Sequence, residues 1–140
     1  RSTLFPYTTL FRSSIKRGEE MAKNEYICGC NPINPELVQE TRKRMLPDRA
    51  YERVAGFFKI VGDPTRCKIV SALSMNEMCV GDIANVLSMT KSSISHQLTK
   101  MKGAGVVRSR KNGKEVYYAL DDEHVAEIFA LTVAHMDHLA

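Results

Sequence analysis

The chain has 140 residues, of which 44% are hydrophobic and 26% are charged, with a formal net charge of +4 at pH 7. This length suits one small domain with a modest core, to which dimerisation would add buried surface. No apolar run reaches membrane-spanning length and no secretory signal is present, so no membrane partner is expected. Its four cysteines lack the pattern of a secreted disulfide framework and indicate a cytoplasmic chain with reduced thiols.

Residues 1–20 are predicted to be a non-native leader. The segment RSTLFPYTTLFRS is the in-frame translation of a common short-read sequencing adapter. Arg17-Gly18-Glu19-Glu20 can be encoded by purine codons alone, as in a ribosome-binding site before a bacterial start codon. We therefore expect the natural chain to begin at Met21. Without the leader, four positive and two negative charges are lost and the net charge becomes +2, so bulk charge is weak evidence for nucleic-acid binding.

Residues 21–33 carry Cys28 and Cys30 and are expected to form a mobile arm, followed by one domain over residues 34–140. Asn34-Pro35 predicts a helix start that runs to about Met45, because Asn is a favoured N-cap and Pro a favoured first residue. A second helix is predicted from about Asp48 to Gly62. Its expected core positions are Val54, Phe57, Phe58 and Val61.

Three further helices follow in chain order. Asp63-Pro64-Thr65 starts the third, and its predicted core side carries Ile69, Val70 and Leu73. The fourth covers about Val80 to Leu87. Thr90 caps the fifth, Lys91 to Lys102, which the glycines at 103 and 105 end. Cys67 falls within an apolar helical pattern, which favours a core position over a ligand position.

The period of the pattern then changes from helix to strand. Val106–Lys111 and Glu115–Leu120 flank Asn112-Gly113, a strong hairpin signal because both positions of such a turn need positive φ. A last helix is predicted over Asp122–Leu139. The predicted fold is therefore mainly α with a small β-hairpin, and two short helices followed by a hairpin form a winged helix-turn-helix.

In such a motif the second helix enters the DNA major groove with its N-terminal residues at base edges. Ile94, Leu98 and Met101 would face inward. Hydroxyls and amides suit bases or phosphates, and cations suit phosphates. The predicted DNA contacts are Thr90, Lys91, Ser92, Ser93, Ser95, His96, Gln97 and Lys100 on the helix, with Arg108, Arg110, Lys111 and Lys114 on the wing.

Four potential ligands for Zn(II) lie in the last helix: Asp122, His124, His135 and His138. His124 and His135 are roughly 16 Å apart along one helix at 1.5 Å per residue, too far to share one metal ion. His135 and His138, at i and i+3, can share one. Two half-sites at opposite ends of a helix are completed when two copies pack antiparallel, so the spacing predicts an intersubunit site in a homodimer.

Over roughly Tyr51 to His138 the chain resembles the ArsR/SmtB family of bacterial metal-sensing transcriptional repressors. The segments that carry the resemblance are Gly62–Arg66, Met78–Ala84, Ser92–Leu98, Gly113–Tyr118 and the last helix. The resemblance implies a homodimer paired through its first and last helices, which binds a pseudo-palindromic double-stranded operator as apoprotein and releases it with metal. All four last-helix ligands match the zinc and cobalt sensors. In those relatives an imidazole ligand reaches toward the reading helix, near the position of His96.

The family's second type of metal site is rich in thiolates and senses Cd(II), Pb(II) or As(III). It combines a C-x-C at the start of the helix-turn-helix with cysteines of an N-terminal arm. Here Cys79 is present, but Gly81 stands where the second cysteine would be. Cys28, Cys30 and Cys79 could still hold a soft ion in trigonal fashion, and a packed Cys79 without a metal is the equal alternative.

The expected metal is Zn(II), and Co(II), Cd(II) or Pb(II) could also bind. Two other classes of protein compete with a metal sensor. A small zinc hydrolase is disfavoured because the chain has no H-E-x-x-H, no nucleophile elbow and no phosphate-binding glycine loop, so we expect neither enzyme activity nor a small-molecule substrate. A purely structural zinc dimer is the third alternative. Four protein ligands with no open position suit sensing better than catalysis.

Overall fold

The computed structural model describes residues 29–139, and contacts divide the chain into two units, residues 1–45 and residues 46–140. The predicted leader and most of the predicted arm, with Cys28, lie outside the described residues. In the first unit, α1 spans Pro35–Arg44. The Oδ1 atom of Asn34 accepts a hydrogen bond from the Leu37 amide at 3.0 Å, which confirms the predicted cap.

The described part of the second unit contains five helices and a three-stranded antiparallel sheet. In chain order these are α2 (Asp48–Val61), α3 (Pro64–Met75), β1 (Met78–Cys79), α4 (Val80–Leu87), α5 (Lys91–Gly103), β2 (Val107–Asn112), β3 (Glu115–Leu120) and α6 (Glu123–Asp137). The predicted winged helix-turn-helix is confirmed. Between residues 29 and 139, none of the helices combines the length and the apolar character that a bilayer crossing requires.

The core lies where α3, α4 and α5 meet the sheet. Its fully buried side chains are Ile69, Val70, Ile83, Ile94, Leu98, Met101, Val106 and Val107. Each such side chain contributes on the order of 1.5–3 kcal/mol through the apolar surface that it removes from water. The predicted inward faces of α3 and α5 are confirmed. Because Ile94, Leu98 and Met101 are buried in this core, the opposite face of α5 remains outside.

A tight turn joins α4 to α5. Ser88 adopts a left-handed conformation with φ 55° and ψ 44°, and the Met89 amide donates to the Ala84 carbonyl at 2.9 Å. Thr90 then caps α5, because its Oγ1 atom accepts a hydrogen bond from the Ser93 amide at 3.1 Å. These local bonds turn the chain sharply and set the direction in which α5 leaves the core.

The sheet has the order β1-β3-β2, so β3 is its central strand. The short β1, in which Cys79 pairs with Tyr117, was not predicted, because two residues carry no readable alternation. In the hairpin Asn112 pairs with Glu115, so the two loop residues are Gly113 and Lys114 rather than Asn112 and Gly113. Gly113 has φ 63° whereas Asn112 does not have positive φ. Glycine at the first of two loop positions is typical of a type II′ turn.

The prediction for α2 was partly wrong. Phe57 and Val61 pack against the core as expected, and Ile60 joins them. Val54 and Phe58, however, are 39% and 54% exposed in the single chain. The apolar pattern of α2 is wider than the one face that the core of this unit covers.

Candidate nucleic-acid interface and metal-ligand positions

The outer face of α5 is polar and carries most of the helix residues predicted to contact DNA. Thr90, Lys91, Ser92, Ser95, His96 and Lys100 are exposed, and Ser93 is half-buried. The opposite face is held by Ile94, Leu98 and Met101, which have no exposed surface. A helix anchored on one face and lined on the other by hydroxyls, an imidazole and ammonium groups can offer donors and acceptors to a groove.

Gln97 differs from the other predicted contacts because it is half-buried and already bonded. Its Oε1 atom accepts a hydrogen bond from Nη1 of Arg66 at 3.1 Å. The Nε atom of Arg66 donates to the Ile60 carbonyl at the end of α2. The sequence prediction assigned no role to Arg66. Arg66 lies three residues before Ile69 and seven before Leu73, so helical spacing puts its charge on the buried face of α3. A cation on that face needs polar partners, and this was the signal in the sequence.

The wing presents cations, but they are not equivalent. Arg108, Lys111 and Lys114 are exposed. Arg110 forms an ion pair with Glu77, and its guanidinium carbon lies 5.4 Å from the centre of the Tyr117 ring. The hydrogen bond from Arg110 lowers the pKa of Glu77 below its ordinary value and raises the pKa of Arg110.

A further contact joins the reading helix to the wing. The Nζ atom of Lys102, in the last turn of α5, donates to Oγ of Ser109 on β2 at 2.6 Å. Because one side chain spans the two elements, the orientation of the wing is tied to the C-terminal end of α5.

Two of the predicted metal ligands meet at the start of α6. Asp122 is the N-cap, and its Oδ1 atom accepts a hydrogen bond from the Val125 amide at 3.3 Å. The other carboxylate oxygen, Oδ2, lies 3.4 Å from Nδ1 of His124. The extended backbone of Asp122, with φ −150° and ψ 179°, is what lets residues two apart approach each other.

The other two predicted ligands lie at the far end of the same helix. His135 is in the last turn of α6 and His138 is its C-cap, so they are one turn apart. All four ligands are exposed. Within residues 29–139 of a single chain, no three Cys, His, Asp or Glu side chains come together in a group that could hold a metal ion. One chain thus brings the four ligands together only as two pairs.

The cysteines of the predicted thiolate site are distributed between the units. Cys30 belongs to the first unit and is disulfide-bonded, so the expectation of reduced thiols is wrong for this residue. Cys79 is half-buried in the second unit, and Cys28 lies outside the described residues. A Cβ atom built on Gly81 would lie 3.7 Å from Sγ of Cys79 and 3.2 Å from Cε of Lys91. A second cysteine at position 81 would therefore adjoin the thiol, and in its absence the Lys91 side chain passes there. Cys67 is half-buried, with its Sγ donating to the Val61 carbonyl at 3.1 Å.

Helix α6 has an apolar surface that its own chain does not cover. Val125 is buried and Phe129 packs against the core. Farther along, Leu131, Met136 and Leu139 are 62%, 55% and 67% exposed. Exposed apolar side chains thus lie between the two ligand pairs, at Leu131, and around the C-terminal end of α6, at Met136 and Leu139.

Comparisons with known proteins agree with this architecture. Residues 63–109, from α3 to β2, match the family described as bacterial regulatory protein, arsR family. The chain is 36% identical over 115 residues to a cadmium resistance transcriptional regulatory protein CadC homolog of Staphylococcus aureus, covering 81% of this chain and 94% of the relative. It is 29% identical over 126 residues to a transcriptional repressor SmtB homolog of Synechocystis, covering 89% and 96%.

The fold has solved counterparts. The homodimeric winged helix-turn-helix DNA-binding domain of Mb0332 from Mycobacterium bovis superposes with a TM-score of 0.62 at 30% identity, covering 64% of this chain and 83% of that one. The curated relatives are transcriptional regulators, which excludes the enzyme alternative. With its reading helix, its wing and relatives that it matches over nearly their whole length, this chain belongs to the ArsR/SmtB family of bacterial transcription regulators.

Proposed function

We propose that the chain is a cytoplasmic homodimeric repressor that binds double-stranded operator DNA as apoprotein and is released by Zn(II) or a similar divalent metal. The metal would bind at two intersubunit sites, each made of Asp122 and His124 from one subunit with His135 and His138 from the other. The observation that carries the proposal is the placement of these two ligand pairs at opposite ends of α6.

The geometry of the first pair fits a metal. Two ligand atoms at 2.0–2.1 Å from a tetrahedral Zn(II) are about 3.3 Å apart. The separation of 3.4 Å between Asp122 Oδ2 and His124 Nδ1 is close to this edge and long for a hydrogen bond. Because Oδ1 of Asp122 already caps α6, Oδ2 is the oxygen left for a metal. A set of three borderline imidazole nitrogens and one harder carboxylate oxygen suits Zn(II) or Co(II).

A second copy explains both the incomplete sites and the uncovered apolar surface. An antiparallel partner α6 would bring its His135 and His138 to the Asp122 end, and the twofold axis would generate the second site. The same arrangement would cover Leu131 and Met136, which are exposed in one chain. The homodimeric solved relative supports a homodimer.

The DNA contacts are proposed from the exposed polar face of α5 and from the wing. Thr90, Ser92, Ser93, Ser95 and His96 would approach bases or phosphates, while Lys91, Lys100, Arg108, Arg110, Lys111 and Lys114 would neutralise phosphates. Gln97 is left out of this group because its carbonyl oxygen is bonded to Arg66.

Metal and DNA would compete through the shape of the dimer. Joining the two α6 helices at both ends would favour a spacing of the two α5 helices that no longer matches adjacent half-sites. A coupling free energy of about 1–3 kcal/mol is enough for regulation, and DNA must weaken metal binding by the same factor.

A thiolate sensor of Cd(II), Pb(II) or As(III) through Cys28, Cys30 and Cys79 is the second candidate. The similarity to a cadmium resistance regulator favours it, as does the half-exposed thiol of Cys79 at the start of α4. Against it, Gly81 leaves a hydrogen where a second thiolate would adjoin Cys79. The disulfide of Cys30 would also have to be reduced before this residue could bind a metal.

The experiment combines DNA binding with metal spectroscopy. A duplex is selected from a random library with the apo chain, and fluorescence anisotropy then gives the affinity with and without Zn(II). We expect Zn(II) to weaken binding by about fivefold or more. Co(II) titration should give the visible bands of a tetrahedral nitrogen and oxygen site.

Two variants separate the candidates. His135→Ala should abolish the response to Zn(II) while the apoprotein still binds the duplex. Cys79→Ser should respond like the unaltered chain. If Cys79→Ser loses the response and Cd(II) gives intense ultraviolet thiolate absorption, the second candidate replaces the first. Duplex affinity that no metal changes would exclude both.

A further inference from the structure

We propose that Arg66 is a positioning residue that holds the reading helix α5 at a fixed orientation to α2 by bonding both helices at once. This inference rests on the proposed DNA-binding function of α5. Arg66 sits in the first turn of α3, donates through Nε to the Ile60 carbonyl of α2 and donates through Nη1 to Oε1 of Gln97 at 3.1 Å. One planar guanidinium thus spans three helices.

At α2 the bond uses a group that the helix itself cannot satisfy. Carbonyls in the last turn of a helix lack an amide partner in the helix and carry the negative end of its dipole. Arg66 supplies a donor and a positive charge to Ile60, and the neighbouring Cys67 thiol donates to Val61 at 3.1 Å. Consecutive side chains of α3 therefore fasten the end of α2.

At α5 the bond reaches the middle of the reading helix. Arginine carries no acceptor, so the atom of Gln97 that faces it must be the amide oxygen. Gln97 lies between Ile94 and Leu98, two buried residues that fix the rotation of α5 about its own axis. The Arg66 bond adds a polar restraint on how α5 is placed relative to α2, and the exposed Ser95 and His96 follow that placement.

Bonding α2 and α5 at once requires the two separate donors of the guanidinium group. Nε and Nη1 are separate donors held in one plane, whereas the ammonium of lysine is a single nitrogen on a flexible stem. Arg66→Lys keeps a positive charge near the end of α2 but cannot be expected to hold both acceptors. This substitution therefore separates a charge effect at α2 from the link to α5.

The test measures duplex affinity and thermal stability of the full chain on the selected duplex. We expect Arg66→Lys to lower Tm by a few degrees, because bonds to a charged group also stabilise the fold. Measured at a temperature well below its Tm, its affinity for the duplex should be about tenfold weaker. Gln97→Met, which removes the acceptor and leaves the α2 bond intact, should lose affinity to a similar degree. Arg53→Lys, the same change at an exposed position of α2, is the matched control and should bind normally.

The double variant is decisive. If Arg66 acts through Gln97, Arg66→Lys with Gln97→Met should bind no more weakly than either single variant. Losses that multiply to about a hundredfold would assign Gln97 to direct DNA contact and overturn the inference. Unchanged affinity of Arg66→Lys would also overturn it, as would a loss of affinity that only follows a fall in Tm. Arg66→Gln replaces the lysine variant if that chain does not fold. A chain that selects no duplex at all refutes the proposed function itself.

Discussion

Asp122 divides its two carboxylate oxygens between two tasks, with Oδ1 capping α6 and Oδ2 lying 3.4 Å from Nδ1 of His124. The hydrogen bond from the Val125 amide fixes the Asp122 carboxylate. The carboxylate in turn sets where its second oxygen and the His124 imidazole approach each other. One half of the proposed metal site is therefore assembled by the rules of helix capping before a metal or a partner subunit arrives.

Substitutions at Asp122 can separate its role as helix cap from its proposed role as metal ligand. Asp122→Asn keeps an oxygen for the Val125 amide and replaces the other oxygen by NH2. We expect its Tm to stay within a few degrees of the unaltered chain, while Co(II) affinity falls by roughly tenfold or more. Asp122→Ala should lose both properties, with about 1 kcal/mol of stability lost with the cap. Equal Co(II) affinity for Asp122→Asn and the unaltered chain, by absorption titration, would exclude Asp122 as a ligand.

The ion pair between Glu77 and Arg110 predicts an acid-sensitive wing. The hydrogen bond from Arg110 lowers the pKa of Glu77 below its ordinary value of 4.5. The ion pair therefore contributes fully to stability above about pH 4.5, and this contribution is lost as the pH falls through the lowered pKa of Glu77 in the folded chain. The difference in Tm between the unaltered chain and Glu77→Gln should shrink as pH drops from 5 to about 3. Glu115→Gln, on the same sheet, is the control, and a difference that stays constant with pH contradicts the prediction.

Two glycines with open space around them give opposite predictions. A Cβ atom would meet nothing within 4 Å at Gly113 or at Gly103, but only Gly113 has positive φ, at 63°. Gly113→Ala should cost about 1–2 kcal/mol because a side chain strains the left-handed region. Gly103→Ala, at the end of α5, should be neutral or stabilising by up to about 1 kcal/mol. Urea unfolding of both variants measures this contrast, and equal effects would mean that backbone strain does not set the hairpin.

Substitutions of two adjacent residues of α5 should have separate effects, one on folding and the other on DNA binding. Ile94 has no exposed surface, so Ile94→Ala should lower the free energy of unfolding by about 2–5 kcal/mol. Ser95 is exposed, so Ser95→Ala should leave Tm unchanged and weaken duplex binding. Thermal unfolding and anisotropy on the same samples measure the two effects. A Ser95→Ala chain that binds DNA normally would remove Ser95 from the proposed interface.

Local signals in the sequence were sufficient for most of the fold. Asn34, Thr90 and Asp122 were each expected at a helix start, and each accepts the amide hydrogen bond that defines a cap. The inward face of α5 followed from the spacing of Ile94, Leu98 and Met101, which are all buried. Capping and helical period are properties of neighbouring residues, so they can be read without knowing the tertiary structure.

Features that depend on distant residues were missed. The pairing of Cys79 with Tyr117 joins segments almost forty residues apart and leaves no local trace. The hairpin register placed Gly113 and Lys114 in the loop, which the Asn-Gly pair alone did not indicate. The exposure of Phe58 depends on which face of α2 packs against the core, and the apolar pattern of α2 alone does not show this. The bond from Arg66 to Gln97 likewise needs α3 and α5 to be placed first.

The placement of the ligand pairs at opposite ends of α6 has a consequence for dimers of two different variants. A subunit lacking Asp122 and His124 still carries His135 and His138, and a subunit lacking the histidine pair still carries the other two ligands. In the proposed arrangement neither variant alone could build a site with itself, but their mixed dimer would contain one complete site. A mixture of the two variants, each unable to bind metal by itself, should therefore regain Co(II) binding in its mixed dimers. Absorption titration of the mixture and of each variant alone would measure this complementation, and a mixture without Co(II) bands would show that the site does not cross between subunits.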